Sequence, residues 1–374
     1  MKVDLVAPHY LPVRGGIEDH VAALARYLVA QGQEVTVHVL DRDLAGKRLP
    51  ARADIDGVKV LRYRPRIRLG YYATEFRPRL EGDVIHLHAA STLTNDWIVR
   101  HTRRPVVLSL HHGYRVPPAS PVHATYHALH RWLRGAATLR RMGAIVVNTA
   151  FDLSALEHAG VDKDRIHVIP AGVGDEAFEP APPAHPRPDW LGYFLFLGRL
   201  HAEKGPRAAL EAFSTVDAPM GLVFAGPDQG MRAKLQARAK GMGLGDRVLF
   251  QGLVEAQEKR ALLAGARALV LPSKHEGFGL ALIEAWAQNT PVIAYRVGAV
   301  PFVVDDRHNG LLEEYGNVAA LGADLRRLAG DPGFAHLLGQ RGRAKAENYR
   351  QTAQFQRILR LYEALTSGSS ITLI

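Results

Sequence analysis

The chain has 374 residues, a length that favours about two domains, each large enough for its own core. Nearly half of the residues are apolar and 22% are charged, the balance of a folded globular protein, and the absence of Cys excludes disulfides and thiolate chemistry and fits a reducing compartment. The formal charge of +10 is unevenly spread: residues 57–151 carry one Lys and fourteen Arg against four acids, a net of +11, and between Asp96 and Asp152 lie eight Arg and six His but no acid.

The N-terminus runs straight into a strand-like stretch at residues 3–7. It lacks the charged region, apolar run and cleavage site of a signal peptide. No apolar stretch reaches the ~18 residues of a membrane span. The expectation is a cytoplasmic protein, free or held at the inner face of a membrane. A Gly-rich loop at residues 9–16 leads to a helix at 17–31, whose apolar face includes Val21, Leu24 and Leu28. Strand runs follow at 34–40, 58–63, 84–88, 106–110 and 145–148, with helical stretches between several of them. Strands alternating with helices imply a parallel sheet with right-handed crossovers. A Pro-dense break then reads as a linker at residues 180–189. A second strand series begins at 193–198 and continues at 222–225, 248–250, 268–271 and 291–294. Helices are expected at 319–328, 334–349 and 353–365. The expectation is an α/β protein of two doubly wound domains, over residues 1–179 and 190–349.

One stretch carries most of the chemistry. Glu276 and Glu284 stand eight residues apart. Glu276 lies in a loop punctuated by Gly277 and Gly279, which let the backbone approach a ligand closely. Glu284 falls about two turns further on, in an apolar, helix-forming run. Amides at the start of such a helix favour an anion. A carboxylate beside an anion-seeking helix end suits a ligand with phosphates at one end and hydroxyls at the other, as in a nucleotide-sugar. Upstream, Arg199 and Lys204 follow a strand ending at Gly198. Ligands in open α/β sheets bind at the carboxyl ends of strands. Two cations there suit a diphosphate, Arg as a planar fork and Lys as a point charge. The plain alternative is a solvated loop with an ion pair to Glu203.

The spacing from Glu276 to Glu284 matches the E-x7-E pattern of retaining glycosyltransferases with the GT-B fold, and the chain resembles family 4. The resemblance extends along most of the sequence. It includes Gly15-Gly16, the run Val84-Ile85-His86-Leu87-His88, Ser109-Leu110-His111, Val168-Ile169-Pro170, Gly198-Arg199-Leu200 with Glu203-Lys204-Gly205, Pro291-Val292-Ile293-Ala294, and Asn309-Gly310-Leu311-Leu312. The resemblance implies two Rossmann-like domains facing each other across a cleft. The last helix, at 350–374, would cross back to the N-terminal domain. The acceptor would bind on the N-terminal side and the donor on the C-terminal side.

By the same resemblance, Glu284 accepts hydrogen bonds from ribose hydroxyls and Glu276 binds hydroxyls of the donor sugar. The backbone of Gly277, Phe278, Gly279 and Leu280 holds sugar and phosphate. His111, favoured over His112, lies near the reacting sugar. Gly15 and Gly16 approach the donor phosphates and the acceptor, with Arg14 beside them. His111, Arg199, Lys204 and Glu276 form the expected catalytic set. The implied activity is retaining transfer of a hexose from a UDP- or GDP-sugar to an acceptor hydroxyl, on a lipid-linked or cell-envelope glycan. No cofactor and no essential metal is expected. Two alternatives stay open: a nucleotide-sugar 2-epimerase, and a catalytically silent sugar-nucleotide binder.

Other features weigh less. Gly15-Gly16 lacks the G-x-G-x-x-G fingerprint of a dinucleotide site. Asp41-Arg42-Asp43 is a D-x-D triplet without the context of a metal motif and reads as a polar loop. The Arg-rich segment 57–151, with Arg62, Arg64, Arg66 and Arg68 alternating, Arg77 and Arg79 after them, and the runs 130–134 and 140–141, could meet an anionic membrane surface, an anionic acceptor or only solvent. No nucleic-acid motif accompanies it. The chain departs from the family pattern at Gly298-Ala299-Val300-Pro301-Phe302, which lacks the usual acid after the proline. It also departs at Ala171, where Asn is usual, and at residues 313–317.

Overall fold

A computed structural model of the chain describes residues 1–69, 73–88, 92–111, 135–217 and 219–368. Backbone contacts divide it into two units, Met1–Pro170 with Gln354–Ile374, and Ala171–Ala353.

The first unit is built on β1 (Lys2–Val6), β2 (Glu34–Leu40), β3 (Arg52–Ile55), β4 (Val58–Tyr63), β5 (Ile67–Leu69), β6 (Ala73–Glu75), β7 (Val84–Leu87), β8 (Val106–Leu110), β9 (Ala144–Val147) and β10 (Ile166–Val168). Eight of these form one sheet in the order β10-β9-β8-β7-β1-β2-β4-β3, and β5 and β6 pair as a separate hairpin. Every pairing in the large sheet is parallel except β3 with β4. Strands β7, β8 and β9 are buried along their whole length. Their unbroken Val/Ile/Leu runs are what a parallel sheet covered on both faces requires. The Gly16–Ala30 helix buries Val21, Leu24, Ala25 and Leu28 in the same core as β1 and β2. The last helix, Gln351–Ser367, adds Phe355, Ile358, Leu361 and Tyr362 to that core, so from Gln354 on it joins the first unit.

The second unit holds β11 (Gly192–Leu197), β12 (Met220–Ala225), β13 (Val248–Gly252), β14 (Ala268–Leu271), β15 (Val292–Tyr295) and β16 (Leu311–Glu313), all parallel, in the order β13-β12-β11-β14-β15-β16. Helices Pro206–Phe213 and Val318–Gly330 pack on one core and Leu280–Ala287 on the other, while Pro332–Ala346 gives Ala335 and Leu338 to the first and Ala346 to the second. Strand order reverses between β1 and β7 in the first unit and between β11 and β14 in the second. At such a switch point the loops leave in opposite directions and open a crevice at the strands' carboxyl ends.

The division between units falls after Pro170, not within the Pro-dense stretch 180–189. Residues from Ala171 on are pinned to the second unit. The Val173 amide donates to Tyr349 O at 2.9 Å and the Gln351 amide to Val173 O at 2.9 Å. Phe178 is buried beneath the Arg350 guanidinium, 4.1 Å from its ring centre. Within the proline stretch, the Ala184 amide donates to Ala261 O at 2.9 Å. Proline favours an extended backbone whether it spans a gap or lies along a surface, so composition alone did not separate the two. No helix among the described residues is long and apolar enough to cross a membrane.

Candidate active site

In the second unit the chain leaves β11 at Gly198 and β14 at Pro272, the two strands flanking the switch point. Lys204 ends a short turn, Ala202–Lys204, and its ammonium reaches the second loop. Lys204 Nζ donates to Glu276 Oε1 at 2.6 Å, and Ser273 Oγ donates to the same oxygen at 2.8 Å. Glu276 is only 7% exposed. The two residues that the sequence placed at opposite ends of one ligand are thus in direct contact. The expected alternative partner of the cations, Glu203, lies instead 3.8 Å from His201 Nδ1. Arg199 is exposed, and its guanidinium donates to Gln229 Oε1 at 3.2 Å.

Glu276 is held from behind as well. Its carbonyl accepts the Ala299 amide at 3.0 Å. Gly298 has φ +52°, and a Cβ there would stand 2.2 Å from Glu276 O. Only glycine fits so close a backbone crossing in the left-handed region. The segment that departs from the family pattern at Phe302 therefore keeps the glycine that seats the Glu276 loop.

Gly279, at φ +90°, turns the chain into the Leu280–Ala287 helix. No side chain caps that helix, so its first amides have no side-chain partner. The helix begins four residues later than Glu276, which puts Glu284 little more than one turn inside it rather than two. The left-handed Gly279 is the cause, because it keeps residues 276–279 out of the helix. Phe278 is buried with its ring edge against Tyr349, 5.7 Å between centroids, which fixes Gly277 and Gly279 on either side. Glu284 is half-buried and accepts from Lys259 Nζ at 2.6 Å. Lys259, on the Ala256–Gly265 helix, carries no signal of its own in the sequence, and Ser273, at the start of the Glu276 stretch, has no expected role there.

In the first unit, Gly15 is the N-cap and Gly16 the first residue of the Gly16–Ala30 helix. Glu18 and Asp19 occupy its first turn, and Asp19 takes Arg14 at 2.7 Å. His111 follows β8, and its carbonyl accepts from Asn148 Nδ2 at 3.1 Å. His111 Nε2 lies 3.1 Å from His88 Nδ1. Deeper in the unit, the His86 ring bonds Tyr362 OH through Nδ1 and Ser109 Oγ, at 2.8 Å, through Nε2. Burial lowers the His20 pKa to about 4, and burial together with the neighbouring imidazoles holds His86 and His88 well below the ordinary value. These rings are neutral at pH 7. His112 lies outside the described residues.

The Asp41-Arg42-Asp43 triplet is a stapled loop: Asp43 Oδ1 accepts the Lys47 amide at 2.8 Å, and Arg42 O bonds His9 Nδ1 at 3.0 Å. Arg62 does not share the exposure of Arg64 and Arg66. Arg62 is buried and donates to Pro50 O at 3.1 Å and Leu11 O at 2.9 Å, tying two loops together. β4 ends at Tyr63, so alternation stops there, and Arg64 and Arg66 are exposed. Arg77 pairs with Glu75 at 2.7 Å and Arg79 with Glu81 at 3.1 Å, which offsets part of the positive charge. Arg140 and Arg141 are exposed, and the run 130–134 lies outside the described residues.

Comparison with known proteins matches residues 14–177 to Glycosyltransferase Family 4 and residues 178–345 to Glycosyl transferases group 1. The chain belongs to the family 4 glycosyltransferases. Among family members, it is 29% identical to a D-inositol 3-phosphate glycosyltransferase of Acidothermus cellulolyticus, over 96% of this chain and 90% of the relative. It is 26% identical to a phosphatidyl-myo-inositol mannosyltransferase of Mycobacterium leprae, over 99% of each chain. Its fold is similar to sucrose-phosphate synthase from Thermosynechococcus elongatus, with a TM-score of 0.79 at 22% identity over 98% of this chain and 100% of that one. It is also similar to Anabaena HepE solved with UDP, with a TM-score of 0.75 at 19% identity over 97% and 100%. The fold of this glycosyltransferase is thus GT-B.

Proposed function

We propose that this glycosyltransferase moves a hexose from a nucleotide-diphosphate sugar to an acceptor hydroxyl with retention of configuration. The observation that carries the reading is the Lys204–Glu276 contact of 2.6 Å beside the uncapped Leu280–Ala287 helix. A cation, a carboxylate and free amides in one loop pair suit a diphosphate joined to a hydroxyl-rich ring. The arriving diphosphate takes Lys204 and Arg199. Glu276, released from Lys204, accepts from sugar hydroxyls, and Glu284 accepts from the ribose. His111 stands beside the reacting sugar.

As the bond from the sugar carbon to the diphosphate oxygen breaks, negative charge grows on the leaving group. Arg199, Lys204 and the helix amides are preorganised to meet it. The acceptor oxygen forms its new bond from the same face and gives its proton to a phosphate oxygen. HepE, of the same fold, is solved with UDP-glucose, which puts UDP-sugars ahead of GDP-sugars among donors to try. Relatives named for an inositol 3-phosphate and for phosphatidyl-myo-inositol support a polyol or lipid-linked acceptor. The exposed Arg64, Arg66, Arg140 and Arg141 would hold the enzyme on an anionic membrane surface.

The test is transfer by Arg199→Ala and Glu276→Gln with a panel of donors and acceptors. Both variants should unfold cooperatively yet lose transfer, and the parent's product should keep the donor's anomeric configuration. Full activity in both variants, or an isomerised nucleotide-sugar in the absence of acceptor, overturns the reading.

A further inference from the structure

Three imidazoles meet in the first unit at the carboxyl ends of its central strands. His20 stands just past the first turn of the Gly16–Ala30 helix, His88 directly follows β7 and His111 follows β8. One ring nitrogen of each lies within 4.8 Å of those of the other two. The His20 and His111 rings are 4.8 Å apart edge-to-face, and His88 and His111 stack at 5.3 Å.

The contrast with His86 is informative. His86 spends both nitrogens on Tyr362 and Ser109, as a structural core histidine should. One shell outward, that satisfaction stops. His20 Nε2 and His88 Nε2 are both buried and have no hydrogen-bond partner among the described residues. A buried polar atom left unpaired is costly, and here two such atoms sit in one cluster. The unmet His20 Nε2, beside the His88 and His111 rings, marks a site whose partner is a ligand.

We propose that His20, His88 and His111 bind one divalent transition ion of the zinc type, with a fourth position open to water. Imidazole nitrogen suits zinc, copper and nickel, and magnesium or calcium prefer oxygen. Tetrahedral zinc holds imidazole nitrogens at about 2.0–2.1 Å, hence roughly 3.4 Å from one another. His88 Nδ1 and His111 Nε2, hydrogen-bonded to each other at 3.1 Å, already stand at about that spacing, so a shift of the donor ring's proton to its other nitrogen and rotation of His20 Nε2 towards the pair complete the set. His20 and His111 are both partly exposed, which gives the ion a way in. Phe355 packs edge-on against His20 at 5.4 Å and limits how far the ring can swing away. On the transferase reading, an ion here occupies His111 and inhibits transfer until a chelator removes it.

The test reads metal binding directly, so it stands apart from the transferase reading. Chelator-stripped full chain is titrated with Co²⁺, followed by the visible absorption of tetrahedral cobalt, then with Zn²⁺ in competition. The expected result is one equivalent per chain, displaced by Zn²⁺. His20→Leu, which keeps an apolar contact with Phe355 but cannot ligate, should weaken binding by at least about tenfold. His101→Gln, at an exposed helix end, should leave it unchanged. His88→Gln should behave as His20→Leu; if it fails to fold, His20→Leu with an unaltered thermal transition decides. No saturable tetrahedral signal, or a His20→Leu variant that binds as the parent does, overturns the proposal.

Discussion

Asp324 offers a sharp test of the electrostatics of the second unit. It lies on the Val318–Gly330 helix, is only 6% exposed, and its Oδ2 has no partner among the described residues. Burial, then the hydrogen bond and charge of Glu313, raise its pKa from 3.8 to about 7, with Arg307 opposing and Asp306 adding to the rise. The sign follows from linkage. Between pH 4 and pH 7 the folded chain keeps a proton here that the unfolded chain has released, so stability from this group is full below about pH 4 and is lost as pH rises through about 7. Each pH unit in that window costs up to about 1.4 kcal/mol. Relaxation of the ionised carboxylate toward solvent and Arg307 reduces the sum to about 1–3 kcal/mol. Asp324→Asn removes the titration and keeps an N–H for Glu313. Chemical denaturation at pH 5, 6, 7 and 8 should find the variant near the parent at pH 5 and more stable by about 1–3 kcal/mol at pH 8. A parent–variant difference that is flat with pH, or a variant weaker than the parent at pH 8, refutes the reasoning.

Three further outcomes are expected. Gly298→Ala forces a Cβ to 2.2 Å from Glu276 O and strains a φ of +52°; it should lower the denaturation midpoint and weaken sugar-nucleotide binding together, and binding at parental strength would show that the loop does not seat Glu276. Arg62→Ala removes bonds to two carbonyls and should cost about 2–4 kcal/mol in thermal or chemical unfolding, whereas Arg64→Ala and Arg66→Ala should each stay within about 0.5 kcal/mol. In liposome co-sedimentation, the double variant at Arg64 and Arg66 should bind anionic vesicles less than the parent does, and salt should release both; equal binding to neutral and anionic vesicles counts against an electrostatic membrane contact.

Much of this molecule is legible in its sequence because the decisive signals are local. Strands β2, β4, β8 and β14 have the bounds their Val/Ile/Leu runs imply. The strands passed over are short or polar. β3 reads Arg-Ala-Asp-Ile and pairs antiparallel at the sheet edge, and β10 and β16 are three residues each, so none carries a hydrophobic period. The same division applies to the site. The Glu276–Glu284 spacing and the Arg199–Lys204 loop lie in continuous sequence. Lys259, 25 residues from Glu284, and Gly298 behind Glu276 are brought in by tertiary contact and carry no motif of their own. Arg62 misled for a related reason: alternation assigns a side chain to a face, but not to the carbonyls that wait there. The unpaired nitrogens of His20 and His88 are likewise invisible in a sequence with 18 histidines.

The most direct test of the proposed donor site is a crystal structure of the enzyme with an intact UDP- or GDP-sugar. The account predicts phosphates on Arg199, Lys204 and the Phe278–Gly279 amides, with Lys204 drawn off Glu276 and the hexose hydroxyls in its place. Density for the sugar-nucleotide away from these residues, or a Lys204–Glu276 pair left intact beneath it, would contradict the account.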